Sequence, residues 1–315
     1  MDFINEKRKE LGTLPSQRAK TYDIVNGVEG ISVQLIDHNI NPYKAMYVMG
    51  TSCWGDKINK WEDVSPESRF QVVKAVLEGQ ALPLSLEAPA FTFWVDGLSR
   101  AAFDQLARTR IGPAFSARGM RDNDWRDKAI RIPSEIVGTK SYAKVVKLCE
   151  QIKDVYSEMV DDGISWQGAR CILPMYITYG YSVTIDYLSL RGACANRMKF
   201  CEMEDTVATA WLMAKRTFEA FPLLGSYLRP GCDAKGVCDY HKSYTMSEFF
   251  GCLFKECGRN KCDSDGYSQF DRPATNLMDL IKAGIPIIKP SEWPKYETIE
   301  DLHPTDRWYF VGNIV

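Results

Sequence analysis

Four arginines fall within fourteen residues in the stretch Arg108-Thr109-Arg110-Ile111-Gly112-Pro113-Ala114-Phe115-Ser116-Ala117-Arg118-Gly119-Met120-Arg121. A guanidinium is a planar, permanently charged fork of donors, matched to phosphate oxygens and to the electron-rich edge of a heterocycle. Gly112, Ala114, Ala117 and Gly119 between them are small enough to let backbone approach such a ligand closely. The plainer reading of the same stretch is a solvated helix end whose cations complement its carbonyl terminus. A second cluster, Leu190-Arg191 and then Asn196-Arg197-Met198-Lys199-Phe200, adds two guanidiniums further along. Any anion site must be built locally from such groups. Lys and Arg number 39 against 41 Asp and Glu, a net charge of −2, which leaves no bulk cationic field for a nucleic-acid backbone.

Other chemistries lack their residues. The three histidines, His38, His241 and His303, stand in no HExxH and in no Ser-His or Cys-His context. No GxGxxG and no GxxxxGK[ST] occurs, which argues against a Rossmann or P-loop nucleotide site. Cys232, Cys238, Cys252, Cys257 and Cys262, with His241, are separated by five, thirteen, four and four residues. These spacings do not form the paired short knuckles of most zinc sites, so thiols are expected there and a structural metal is the weaker alternative.

The elements that must carry the arginines are partly legible. The chain has 315 residues, 45% hydrophobic and 25% charged, the balance of a globular protein of one large domain or two. No apolar run approaches the length of about 18 residues needed to cross a membrane. The polar first twenty residues lack the apolar core of a secretory signal, so a cytoplasmic location with reduced cysteines is expected. Residues 1–30 read as an N-terminal extension, 31–222 as the main domain, and 223–315 as an aperiodic extension rich in Cys and aromatics. Within the main domain, Ile31–Asp37 alternates as a strand, and Ser65-Pro66 opens a helix carrying Phe70, Val73, Val76 and Leu77 that stops at Gly79. Ala90–Asp96 reads as a strand with Phe91, Phe93 and Val95 on one face. Residues 98–110 read as a helix presenting Gln105, Arg108 and Thr109 together. A helix over 140–161 is expected to bury Val145, Leu148, Ile152, Val155, Tyr156 and Met159, and another over 198–220 to align Phe200, Met203, Val207, Trp211, Ala214 and Phe218.

Taken together, the two arginine segments resemble the flavin-dependent, or alternative, thymidylate synthases. That family's signature is an Arg-His-Arg triplet and a short loop ending in Ser-x-Arg, then Leu-Arg and an Arg-Ala-Gln-Trp-Glu-like helix start. Gln105, Arg108-Thr109-Arg110 and Met120-Arg121 are similar to the first part, Leu190-Arg191 and Asn196-Arg197 to the second. Thr51-Ser52-Cys53-Trp54, Ser85-Leu86-Glu87, Arg170-Cys171-Ile172-Leu173-Pro174 and the Cys232/Cys238 pair resemble further family segments in the same order. The resemblance spans about residues 31–240.

It implies an α+β fold with a central, mostly antiparallel sheet and long helices. It also implies a homotetramer with FAD and dUMP in clefts between subunits. The implied reaction is methylation of uracil C5 by methylenetetrahydrofolate, with reduced FAD giving the hydride and NADPH the electrons. Arg191 would polarise the pyrimidine. Gln105, Arg118, Arg121 and Arg197 would bind the nucleotide, and Cys53, Glu87, Arg108, Thr109, Arg110 and Asp186 the flavin. Cys194 and Cys201 are taken as packing groups, with attack on uracil C6 as the alternative. Trp94, Trp125, Tyr176, Tyr179 and Tyr181 read mainly as packing, with stacking on flavin or base as the alternative. The sequence departs from the pattern at Thr109, Gln80 and Ala88, where histidines are expected, and at Gly119, where serine is expected. An Asn-x-Arg segment is missing between Thr184 and Tyr187, leaving Asp186. These departures keep two alternatives open: hydroxymethylation of dUMP or dCMP, and a nucleotide-binding homologue without catalysis.

Overall fold

A computed structural model of the chain describes residues 24–52, 60–109, 111–199, 202–231, 277–288 and 292–312. Its strands are β1 (Ile24–Asn26), β2 (Ser32–His38), β3 (Ala90–Ser99), β4 (Ala114–Ala117), β5 (Ile130–Ile132) and β6 (Thr178–Asp186). The longer helices are α1 (Pro42–Thr51), α2 (Pro66–Leu77), α3 (Arg100–Leu106), α4 (Tyr142–Asp161), α5 (Tyr187–Arg197), α6 (Glu204–Ala220) and α7 (Pro304–Val311). The main sheet runs β2-β3-β6-β4 with every pairing antiparallel, while β1 and β5 form a separate parallel pair. This is the expected α+β architecture.

The register explains where the core lies. Phe91, Phe93 and Val95 stand opposite Ile185, Val183 and Tyr181, and all six are buried against the helices. Full burial of each such large side chain stabilises by roughly 1.5–3 kcal/mol. The alternate residues point the other way, and Gln34, Ser116 and Thr184 are exposed there. α2 forms as its local signals require. Ser65 caps it by accepting from the Ser68 amide, Phe70, Val73, Val76 and Leu77 are buried, and Gly79 ends it with φ +76°.

Three helix expectations are corrected. Leu98 and Ser99 belong to β3, because a bulge between Asp96 and Leu98, with Gly97 at φ +85°, lets the strand continue. The following helix therefore covers only Arg100–Leu106, and Arg108 and Thr109 lie beyond it rather than on one helical face with Gln105. The helix expected over 198–220 begins at Glu204, and Arg191 and Arg197 sit in a separate helix, α5; Phe200 lies outside the described residues. In α4 the residues turned inward are Cys149, Lys153 and Tyr156, whereas Leu148 and Val155 are exposed. Lys153 Nζ donates to the carbonyls of Trp125, Arg126 and Lys128 at 2.8, 2.7 and 2.6 Å, which draws that side of the helix toward the core.

Described residues after 223 pack into the same core. Phe310 of α7 lies against Tyr43, Trp61 and Phe70, and Arg69 donates to its carbonyl at 2.6 Å. Asp306 is fully buried, accepting from the Tyr43 hydroxyl and, at 2.7 Å, from the Leu223 amide. No helix among the described residues is long and apolar enough to cross a membrane.

Candidate active site

Helix α5 starts because Asp186 caps it, Oδ1 accepting from the Ser189 amide at 2.8 Å. Its buried face is Tyr187, Leu190 and Cys194. Arg191 sits at the edge of that face, half-buried. Its Nη1 donates to the Leu77 carbonyl at 2.8 Å, and its guanidinium lies 5.8 Å from the centre of the Tyr227 ring. Leu77 closes α2, so the cation rests at the negative end of a helix. No carboxylate among the described residues is within ion-pair distance of Arg191, which leaves most of its donors for a ligand.

Arg197 is engaged differently. Its Nη1 meets Glu202 at 2.8 Å and its Nη2 donates to the Gln105 carbonyl at 3.0 Å, so the chain itself consumes the fork. Gln105 is thereby pinned to α5, and its side-chain oxygen accepts from Thr206 at 3.4 Å. Six residues at 100° each put Arg191 and Arg197 roughly 120° apart around α5. Within one chain, Arg191 and Gln105 are therefore held on different sides of that helix.

The arginine-rich loop leaves α3 and crosses the start of α5. Gly112, at φ +90°, makes the crossing possible, since an added Cβ would fall 2.0 Å from Ser189 Oγ and 2.1 Å from Asp186 Oδ2. Ser189 Oγ donates back to the Ile111 carbonyl at 3.0 Å. The loop then becomes edge strand β4. Arg118 continues it, its amide donating to Gly180 at 3.2 Å and its carbonyl accepting from the Tyr179 hydroxyl. Arg121 lies beyond, 65% exposed and beside Asp122 at 3.3 Å. Arg108 is exposed, and neither it nor the half-buried Arg118 has a carboxylate partner among the described residues. A Ser-x-Arg triplet also stands three residues before Gly119–Arg121, as Ser116-Ala117-Arg118, with its first two residues on β4.

Glu87 ends the short turn Pro83–Glu87 and is exposed. The next residue, Ala88, borders a cleft of about 680 Å³ shared with His38, Asn41, Lys44 and Met49. Thr109 is half-buried just after α3. Cys53, Arg110, Cys201, and the cluster Cys232, Cys238, His241, Cys252, Cys257 and Cys262 lie outside the described residues. Cys194 is fully buried beside α6, and burial pushes its thiol up to about 12, which fits packing and not nucleophilic attack. Trp125 stacks on Tyr179 at 5.7 Å, both buried, and Tyr181 is buried beside Phe103, so these rings pack the interior.

The family model for the thymidylate synthase complementing protein matches residues 34–223, more than half of the chain. The chain belongs to that family. Similar proteins include the flavin-dependent thymidylate synthase of Sulfurisphaera tokodaii, 28% identical over 47% of this chain and 57% of that protein. The one from Saccharolobus solfataricus is 25% identical over 80% of this chain and 100% of its own length. Among solved structures, the UMP/dUMP methylase PolB from Streptomyces cacaoi bound with 5-Br dUMP superposes with a TM-score of 0.52 at 16% identity, over 64% of this chain and 96% of that one. The likeness supports the fold. Membership of the thymidylate synthase complementing family makes the chain a methyltransferase-type enzyme and implies a flavin cofactor. The donor set fits such a group. A flavin dinucleotide is a flat ring carrying a diphosphate, and the chain offers two guanidiniums, Arg108 and Arg118, without a carboxylate partner among the described residues, on a glycine-bearing loop that comes close to the α5 N-terminus.

Proposed function

We propose that the protein methylates C5 of dUMP to give dTMP, using methylenetetrahydrofolate as carbon donor and FAD recharged by NADPH. The observation that carries this is Arg191: in a chain of this family, it is a half-buried guanidinium with one donor anchored on Leu77 and no carboxylate among the described residues to neutralise it. Uracil C5 is a weak nucleophile, and it becomes a competent one when the ring is polarised toward an enolate-like form whose negative charge rests on the pyrimidine oxygens. A cation fixed in advance stabilises that charge without having to reorganise. Arg118, held by its backbone to β6, is suited to the 5′-phosphate, with Arg121 at the rim and Gln105 contacting the nucleoside. Arg108, Thr109, Arg110, Glu87, Asp186 and Cys53 are the groups we assign to the flavin, and the bound flavin supplies the hydride that completes the methyl group. Arg197 is assigned to holding Gln105. Because Arg191 and Gln105 face different sides of α5, a site shared between subunits of a homotetramer accounts best for both acting on one nucleotide.

The test combines the absorbance spectrum of purified protein, before and after anaerobic dUMP, with folate-dependent tritium release from dUMP labelled at C5. A flavin spectrum perturbed by dUMP together with tritium release is the expected result. Perturbation by dCMP alone would reassign the base, and a hydroxymethyl product would reassign the fate of the methylene. A colourless protein that takes up no FAD and releases no tritium would leave only nucleotide binding.

A further inference from the structure

We propose that Tyr227, whose ring covers the Arg191 guanidinium, is a positioning residue for Arg191, supplied by chain lying beyond the segment matched to the family. This rests on the assignment of Arg191 to the nucleotide.

A single hydrogen bond to Leu77 leaves the guanidinium free to swing about that contact. The Tyr227 ring, 5.8 Å from the guanidinium carbon, limits the swing by covering one side of the cation. The ring is itself near a second guanidinium, Arg229, which stands 6.0 Å from its centre and 5.0 Å from that of the buried Trp293. Burial and Glu78 push that hydroxyl up to about 12, so it remains a donor at neutral pH. Glu78 also accepts from Gln80 at 3.2 Å and has Lys74 at 3.8 Å. Tyr227 lies outside residues 34–223.

Tyr227→Leu and Tyr227→Phe proteins, each loaded with FAD, are compared with the wild type in steady-state kinetics with dUMP, in equilibrium dUMP binding and in thermal unfolding. Tyr227→Leu is expected to lower kcat about tenfold or more, and the ring-retaining Tyr227→Phe only about two- to threefold. The phenylalanine variant keeps the ring and remains informative if the leucine variant does not fold. A loss of about tenfold or more for Tyr227→Phe, or wild-type kcat for Tyr227→Leu, overturns the proposal. Arg191→Ala serves as the reference. Wild-type turnover in that variant overturns the nucleotide assignment itself, whereas an inactive Arg191→Ala beside fully active Tyr227 variants overturns only the role of Tyr227.

Discussion

The arginines occupy two contrasting regions. Around Arg191 the molecule is closed: the end of α2, helix α5 and the C-terminal residues Tyr227 and Trp293 surround the guanidinium or the ring that covers it. Around Arg108, Arg118 and Arg121 it is open, an edge strand and turns whose cations have no carboxylate partner among the described residues or meet one only at an exposed surface. Fixing a cation in advance costs side-chain entropy and desolvation, which a fold meets where the charge must be ready for a transition state. A phosphate brings two charges and several acceptors of its own, so arginines on an open edge can be ordered by the ligand. The difference suggests a division of labour, with chemistry on the closed side and capture on the open one.

That contrast can be broken by substitution. Arg191→Ala should reduce kcat by about 10²–10³ while leaving the circular dichroism spectrum and FAD content in place, because a preorganised charge is lost and only one internal hydrogen bond goes with it. Near-normal kcat would end the division of labour. Arg118→Ala should instead raise the Kd for dUMP by roughly 10- to 100-fold, as measured by titration, with kcat much less affected. Arg121→Ala should raise it by about threefold or less, and that small effect should fade in high salt, since the side chain is exposed. An Arg121 effect larger than that of Arg118 would exchange their roles.

The smallest effect sharpens the closed side through pH. Burial pushes the Asp306 carboxyl up to about 7, against the hydrogen bonds from Tyr43 and Leu223. Its unfolded value is about 3.9, so the folded state binds the proton more tightly. The associated stability is therefore complete below about pH 4 and is lost as pH rises through about 7. Hydrogen-exchange protection factors, which remove the intrinsic base catalysis of exchange, should fall at α7 and around Tyr227 between pH 5 and pH 8, with those of β4 unaffected, and Asp306→Asn should flatten the response. Parallel changes in β4 would show that the two regions are not separate.

Legibility followed the range of the forces. α2 was readable because Ser65, Pro66, the apolar spacing and Gly79 all act within a few residues of one another. β2 and β3 were readable from alternation. α5 was missed because Leu188-Ser189-Leu190-Arg191-Gly192-Ala193 has little apolar periodicity, and its one local sign is the cap at Asp186. In α4 the period correctly grouped Leu148 with Val155, but period fixes which residues share a face and not which face meets the core. The three carbonyls awaiting Lys153 decided that. In the site, the arginines were identifiable from type and order, whereas Tyr227 sits in a stretch with no motif.

The sequence alone determined the set of guanidiniums and the strands β2 and β3, because these follow from residue types in order and from spacing within single elements; the antiparallel sheet was implied by the family resemblance. Only the tertiary structure decided that Arg191 is held, that Arg197 is consumed by Glu202 and Gln105, and that Arg118 is anchored more firmly than Arg121. The contact that fixes Arg191 joins residues 114 apart along the chain. Such a contact depends on how whole elements pack, and no local pattern of side chains encodes it.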